Sequence, residues 1–189
     1  MIATSSGSSW CSFLSTHGYD CTTFPSTGPT SPLDDFQVVI DLSEDWADPT
    51  HSLADFIQAG KGVITRGLAP YALGVDNDPV VQNWIGANNG IYPGTDFCTT
   101  TTTDSILGDR PPGTVLDFVG DCCAHAIDDI VGHPDAKVLA RFNSGMSTIA
   151  ILRNRWESGR SIYFSDSFGP GRPDHADIIL RAMSELSVQ

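Results

Sequence analysis

The stretch GVITRGLAPYALG, residues 62–74, reads as a short apolar strand, Gly62-Val63-Ile64-Thr65, that turns at Arg66-Gly67 into a helix-like segment. In an α/β protein a sharp strand-to-helix turn of this kind holds a Ser or Cys nucleophile above the sheet. Here the turn carries Arg66 and Gly67, so it offers no hydroxyl or thiol. Arg66 can receive an anionic or carboxylate group through its fork of donors. It can equally pair with Asp41, Glu44 or Asp45.

Other residues offer other chemistry. Asp166 and His175 can form an acid/base pair, because the Gly169, Pro170, Gly171 and Pro173 between them make a loop able to fold one onto the other. The alternative is Asp166 as a loop hydrogen-bonder and His175 in the first turn of a helix. TSSGSS (4–9) places hydroxyls and a glycine between a strand and a helix, a pattern able to cradle a phosphate with Ser6 and Ser9. DCCAHAIDD sets Cys122, Cys123 and His125 close in sequence, as a nucleophile pair or soft-metal ligands. DNDP (76–79) with Asp96 or Asp104 supplies calcium-type oxygen ligands, without the Gly and Glu spacing of an EF-hand.

Composition narrows the partners. The 189 residues suit one domain with a full core, residues 1–189. The net charge is −13, with 20 Asp, 3 Glu and only two lysines, Lys61 and Lys137. Such a surface repels phosphate backbones, so no nucleic-acid partner is expected. The lack of a long apolar run argues against a membrane partner. A small-molecule ligand fits better. No cofactor is expected as the first reading; calcium or FMN are the alternatives. Oligomeric state stays open.

Five cysteines cannot all pair within one chain. Cys11 and Cys21 are placed to tie a first helix to a second strand. Cys98 can bridge to Cys122 or Cys123; the alternative is that the cysteines are buried free thiols. A composition rich in Ser, Thr, Gly and Asp leans towards an extracellular or periplasmic setting that permits such bonds. Met1 opens almost directly on a Ser/Gly loop, with no leader-like charged and apolar regions, so the compartment stays open.

The elements that must position these residues follow from pattern. Strands are predicted at 1–4, 19–24, 36–43 and 61–65. Helices are predicted at 11–17, at 48–60 with Asp48 as cap and Pro49 at its first position, and from 78, where Asp78 precedes Pro79. Residues 88–116 show no strong period; the Thr99–Thr103 run reads as an edge strand or exposed loop. AKVLARF, STIAILRNR and RSIYFSDSF then read as an antiparallel meander with short turns at NSGM and WESG. An amphipathic helix over 174–186 closes the chain, with Ile178, Ile179, Met183 and Leu186 on one side. The expected fold is a three-layer α/β sandwich with a mostly parallel central sheet and a C-terminal antiparallel meander.

Four stretches carry a family resemblance: YDCTTF with DDFQVVIDLS, SLADFIQAGKGVITRG, HAIDDIVGHPDAKVLARF, and GRSIYFSDSFGPGRPDHADIILRAM. In order and spacing the chain resembles the class I glutamine amidotransferase-like superfamily, in particular its ThuA-like, non-amidotransferase branch. The resemblance implies a flavodoxin-like sandwich, and a structural turn at His125. Amidotransferases of this family carry Cys in a G-x-C-x-G elbow and a His-x-Glu after a late strand. This chain has Thr65-Arg66-Gly67 and Ser165-Asp166-Ser167 at those places. A thiol needs a turn to present it and a base to ionise it, so glutamine hydrolysis is not expected. Three readings follow. The first is a small-molecule or carbohydrate-related binding domain, in a larger or secreted protein, with Ser6, Ser9, Asp41, Arg66 and Gly67 at the ligand. The second is an ester or lactone hydrolase using Asp166 and His175. The third is a phosphate or FMN binder through Thr4–Ser9.

Overall fold

The computed structural model describes residues 1–5, 8–30, 32–43, 45–48, 50–91, 97–116, 126–142, 148–165 and 168–187. Its centre is a run of short apolar strands. These are β1 (Ile2–Ser5), β2 (Cys21–Phe24), β3 (Val38–Asp41) and β4 (Gly62–Arg66). β1, β3 and β4 are buried on both faces, as a helix-covered parallel strand must be, while β2 is a half-exposed edge strand. They pair in parallel in the order β2-β1-β3-β4.

Beyond them lie β5 (Asn89–Ile91), β6 (Cys98–Thr100), β7 (Val115–Leu116), β8 (Ala126–Asp128), β9 (Lys137–Phe142), β10 (Ile149–Trp156) and β11 (Gly159–Phe164). β11 pairs in parallel with β4 and antiparallel with β10. It is the seam between a parallel and an antiparallel half. The main order is β2-β1-β3-β4-β11-β10-β9-β6-β7, with β8 joining β10 and β5 joining β8.

The helices are α1 (Ser8–Thr16), α2 (Ser52–Gln58), α3 (Ala69–Ala72), α4 (Pro79–Ile85) and α5 (Pro173–Ser187). One face of the sheet buries Trp10 and Leu14 of α1 with Ile178, Ile179, Ala182, Met183 and Leu186 of α5. The other buries Leu53, Phe56 and Ile57 of α2 with Val81, Trp84 and Ile85 of α4. Helices on both faces make the expected α/β sandwich.

Several local expectations are corrected. Asp48 caps α2 from outside: the helix starts at Ser52, and the Asp48 carboxylate accepts from the Ser52 N–H (3.0 Å), the Ser52 hydroxyl (2.5 Å) and the Leu53 N–H (2.9 Å). The left-handed His51 (φ 53°) makes the turn that brings it there. The Thr run over 99–103 divides: residues 101–103 form the exposed loop, but Thr99 and Thr100 belong to an interior strand. β6 lies between β9 and β7, with Cys98 opposite Phe142 and Leu116. The WESG turn is a two-residue hairpin joining Trp156 to Gly159, with Glu157 at φ 53°, the twist such turns require. The NSGM turn lies outside the described residues.

Candidate functional site

In open α/β sheets ligands sit beyond the carboxyl ends of the parallel strands. There the register brings one row of polar side chains together. Ile40 pairs with Thr4, which sets Asp41 beside Ser5; Asp41 pairs with Thr65, and Thr65 with Tyr163. Paired positions in a parallel sheet share a face, so Ser5, Asp41, Thr65 and Tyr163 form a line across β1, β3, β4 and β11. All four are almost completely buried.

Asp41 is the charged member, with 0% exposure. Its Oδ1 accepts from the Ser5 hydroxyl and the Ser43 N–H, both at 3.0 Å. Among the described residues its Oδ2 has no hydrogen-bond partner. Burial pushes the carboxyl up to about 7 against the pull of the Ser43 and Ser5 hydrogen bonds, and the nearby charge of Asp48 adds to the rise. The Ser5 hydroxyl in turn accepts from the Leu42 N–H at 2.7 Å. Ser165, next beyond β11, is also fully buried, and its hydroxyl has no hydrogen-bond partner among the described residues.

The turn after β4 has the shape of an elbow. Gly67 stands at φ 60°, donates its N–H to the Phe164 carbonyl at 2.9 Å, and leads through Leu68 into α3. A left-handed backbone at this point suits glycine. The strained position, where a nucleophile would stand, therefore has no side chain. Arg66 ends β4 opposite Phe164, and strand alternation gives it the other face from Asp41 and Thr65. The expected grouping of Arg66 with Asp41 is thus split across the sheet, and the Tyr163 hydroxyl lies 3.5 Å from the Gly67 carbonyl instead.

The remaining candidates are spread out. His175, in the first turn of α5, is 1% exposed, with its ring stacked on Phe168 at 4.1 Å. The Gly169 N–H lies 3.4 Å from its Nδ1. Asp166 and Ser6 lie outside the described residues, and Ser9 is exposed on α1. Cys11 and Cys21 form a disulfide. Cys98 is buried and has no disulfide among the described residues; Cys122, Cys123 and His125 lie outside them.

The calcium candidates are engaged separately. Asp78 accepts from the Val80 N–H that begins α4 and pairs with His51 at 2.7 Å. Asp104 pairs with Lys137 (2.8 Å) and Arg153 (3.3 Å), and Asp96 lies outside the described residues. Among the described residues no three His, Cys, Asp or Glu converge as a metal site. None of their helices is long and apolar enough to cross a membrane.

Sequence reasoning named Asp41 and missed Thr65 and Tyr163. The usable signal was the alternation within GVITRG and SIYFS, once the two strands are set side by side.

No protein-family model matches the chain, and no curated protein does. Solved structures do. A cytoplasmic protein of Salmonella typhimurium superposes with TM-score 0.70 at 11% identity, over 100% of this chain and 99% of its own. A ThuA-like protein of Parabacteroides merdae gives TM-score 0.68 at 9% identity over 99% and 89%. A GMP synthase subunit of Thermoplasma acidophilum gives 0.58 at 11% identity over 97% and 92%. The fold also occurs inside longer chains: a β-galactosidase of Bacillus circulans sp. alkalophilus matches all of this chain with 31% of its own, at TM-score 0.63 and 14% identity. Identities this low speak for architecture alone. That architecture, a helix-covered sheet with its elbow after β4, is the ThuA-like, glutamine amidotransferase-like fold.

Proposed function

We propose that this chain is a binding domain for a polyhydroxylated small molecule, a sugar or sugar derivative, held over the carboxyl ends of β1, β3, β4 and β11. Asp41 carries the reading. Its Oδ2, buried and lacking a partner among the described residues, is costly to leave so, and it sits where this class of sheet takes its ligands. A sugar hydroxyl donating to Oδ2 would satisfy it, with the hydroxyls of Ser5 and Thr65 beside it in the row; since Asp41 has 0% exposure, binding requires the strand-end loops to part. Two further points lend support. The elbow lacks a nucleophilic side chain, which disfavours amidotransferase chemistry. A β-galactosidase contains this fold in 31% of its chain.

The test is calorimetric titration of the chain with D-galactose, N-acetyl-D-glucosamine and their β-linked disaccharides. Saturable binding that is lost in Asp41→Ala is expected. No heat from any sugar, or equal affinity in the variant, overturns the reading.

A further inference from the structure

A cleft lies at the opposite end of the sheet from Asp41. It measures about 420 Å³ and is lined by Asp135, Arg153, Asn154, Arg155, Arg160 and Glu185. That volume suits a small ligand. The hairpin register explains its charge. Arg155 on β10 lies directly opposite Arg160 on β11, and Arg153 opposite Lys137 on β9. Strand alternation puts Arg153 and Arg155 on the same face as Ile151, the face covered by α5. Four of the chain's ten basic residues therefore meet on one patch of a protein with net charge −13.

Two of the four are neutralised. Asp104 pairs with Lys137 and Arg153, and Glu185 pairs with Arg153 at 3.1 Å. Arg160 donates to the Glu185 carbonyl at 2.9 Å, a contact that caps the last turn of α5 without cancelling a charge. Among the described residues no carboxylate is within ion-pair distance of Arg155 or Arg160. Like charges directly opposite each other on neighbouring strands repel. An oxyanion seated between them reverses that term, because each guanidinium offers a planar fork of donors to carboxylate or phosphate oxygens.

We infer that this cleft is an anion site, and that its ligand is a small molecule bearing a phosphate or carboxylate group. The site is separate from the row around Asp41, so it stands or falls independently of the sugar reading. The surrounding acidic surface slows the approach of anions and is screened at physiological ionic strength.

Backbone amide NMR of the full chain, titrated with sodium phosphate and separately with sodium citrate against sodium chloride at matched ionic strength, tests it. Saturable shifts at the amides of residues 153–160 are expected with one of the two anions. The arm that saturates at lower concentration identifies the oxyanion class. In Arg155→Gln, an exposed position, the affinity should fall about tenfold or more. Arg160→Lys keeps the charge but loses the fork, and should weaken binding as well. Chloride-like, non-saturating shifts up to about 20 mM, or an unchanged affinity in Arg155→Gln, overturn the assignment.

Discussion

Ser5 and Asp41 are joined across β1 and β3: the Ser5 hydroxyl donates to Asp41 Oδ1 at 3.0 Å while accepting the Leu42 N–H at 2.7 Å. The contact holds a carboxyl that burial has raised to about 7, against an ordinary value of 3.8. Between those values the folded chain keeps a proton that the unfolded chain has lost. Stability from this group is therefore fully present below about pH 4, falls as pH rises through about 7, and changes no further above it. Asp41→Asn never ionises. Its melting temperature relative to wild type is expected to be higher at about pH 8 than at about pH 4.5. An offset that is the same at both pH values would contradict the buried ionisation.

The elbow gives a second expectation. Gly67 at φ 60° tolerates any side chain poorly. Gly67→Ala should cost about 1 kcal/mol or more, read from denaturant midpoints at unchanged m-value. Gly67→Cys places a thiol on the turn and should still release no ammonia from glutamine. The sequence offers no His-x-Glu after β11 to serve it, and a thiol without a base stays protonated near neutral pH. Ammonia release by Gly67→Cys above the wild-type level would reopen amidotransferase chemistry.

The Cys11–Cys21 bond fastens α1 to β2, an outer strand of the sheet. With a sequence separation of 10, loop-closure entropy gives it about 3 kcal/mol of stabilisation. Alkylation under denaturing conditions should modify these two residues only after reduction, and reduction should lower the unfolding free energy by about that amount. Modification of either thiol without reductant is incompatible with the bond.

The Asp48 cap is the fourth. Asp48→Ala removes the acceptor of three contacts at the start of α2, two of them from backbone N–H groups. A loss of about 1–2 kcal/mol is expected, with Asp48→Asn recovering part of it. A loss below a few tenths would mean that water replaces the carboxylate at no cost.

Much of the architecture could be read from residue order, because the buried parallel strands are continuous apolar runs and the closing helix is long enough to show a period. VVID, GVIT and the stripe Ile178, Ile179, Met183, Leu186 announce themselves. β5, β6 and β7 do not, since strands of two or three residues cannot display alternation. Their places come from partners far away in sequence, as Cys98 opposite Phe142 shows. The site divided in the same way. Asp41 stood out as an acid at the end of an apolar strand. The row it belongs to depends on register across four strands, which no single segment encodes. The Arg155–Arg160 pairing, by contrast, was within reach, because RNRWESGR contains both the hairpin turn and the two arginines that the turn brings opposite each other.

β11 enters the sheet between β4 and β10, strands already synthesised when it emerges. Until residues 159–164 leave the ribosome, each of those two neighbours presents an open row of backbone donors and acceptors in what becomes the middle of the protein. Such bare edges recruit other chains. The final insertion also joins Gly62 to Arg160 across nearly a hundred residues, a closure that slows folding. A nascent chain stalled before β11 would thus be a sticky half-sheet, and biosynthesis of this protein has its vulnerable moment just before its last strand arrives.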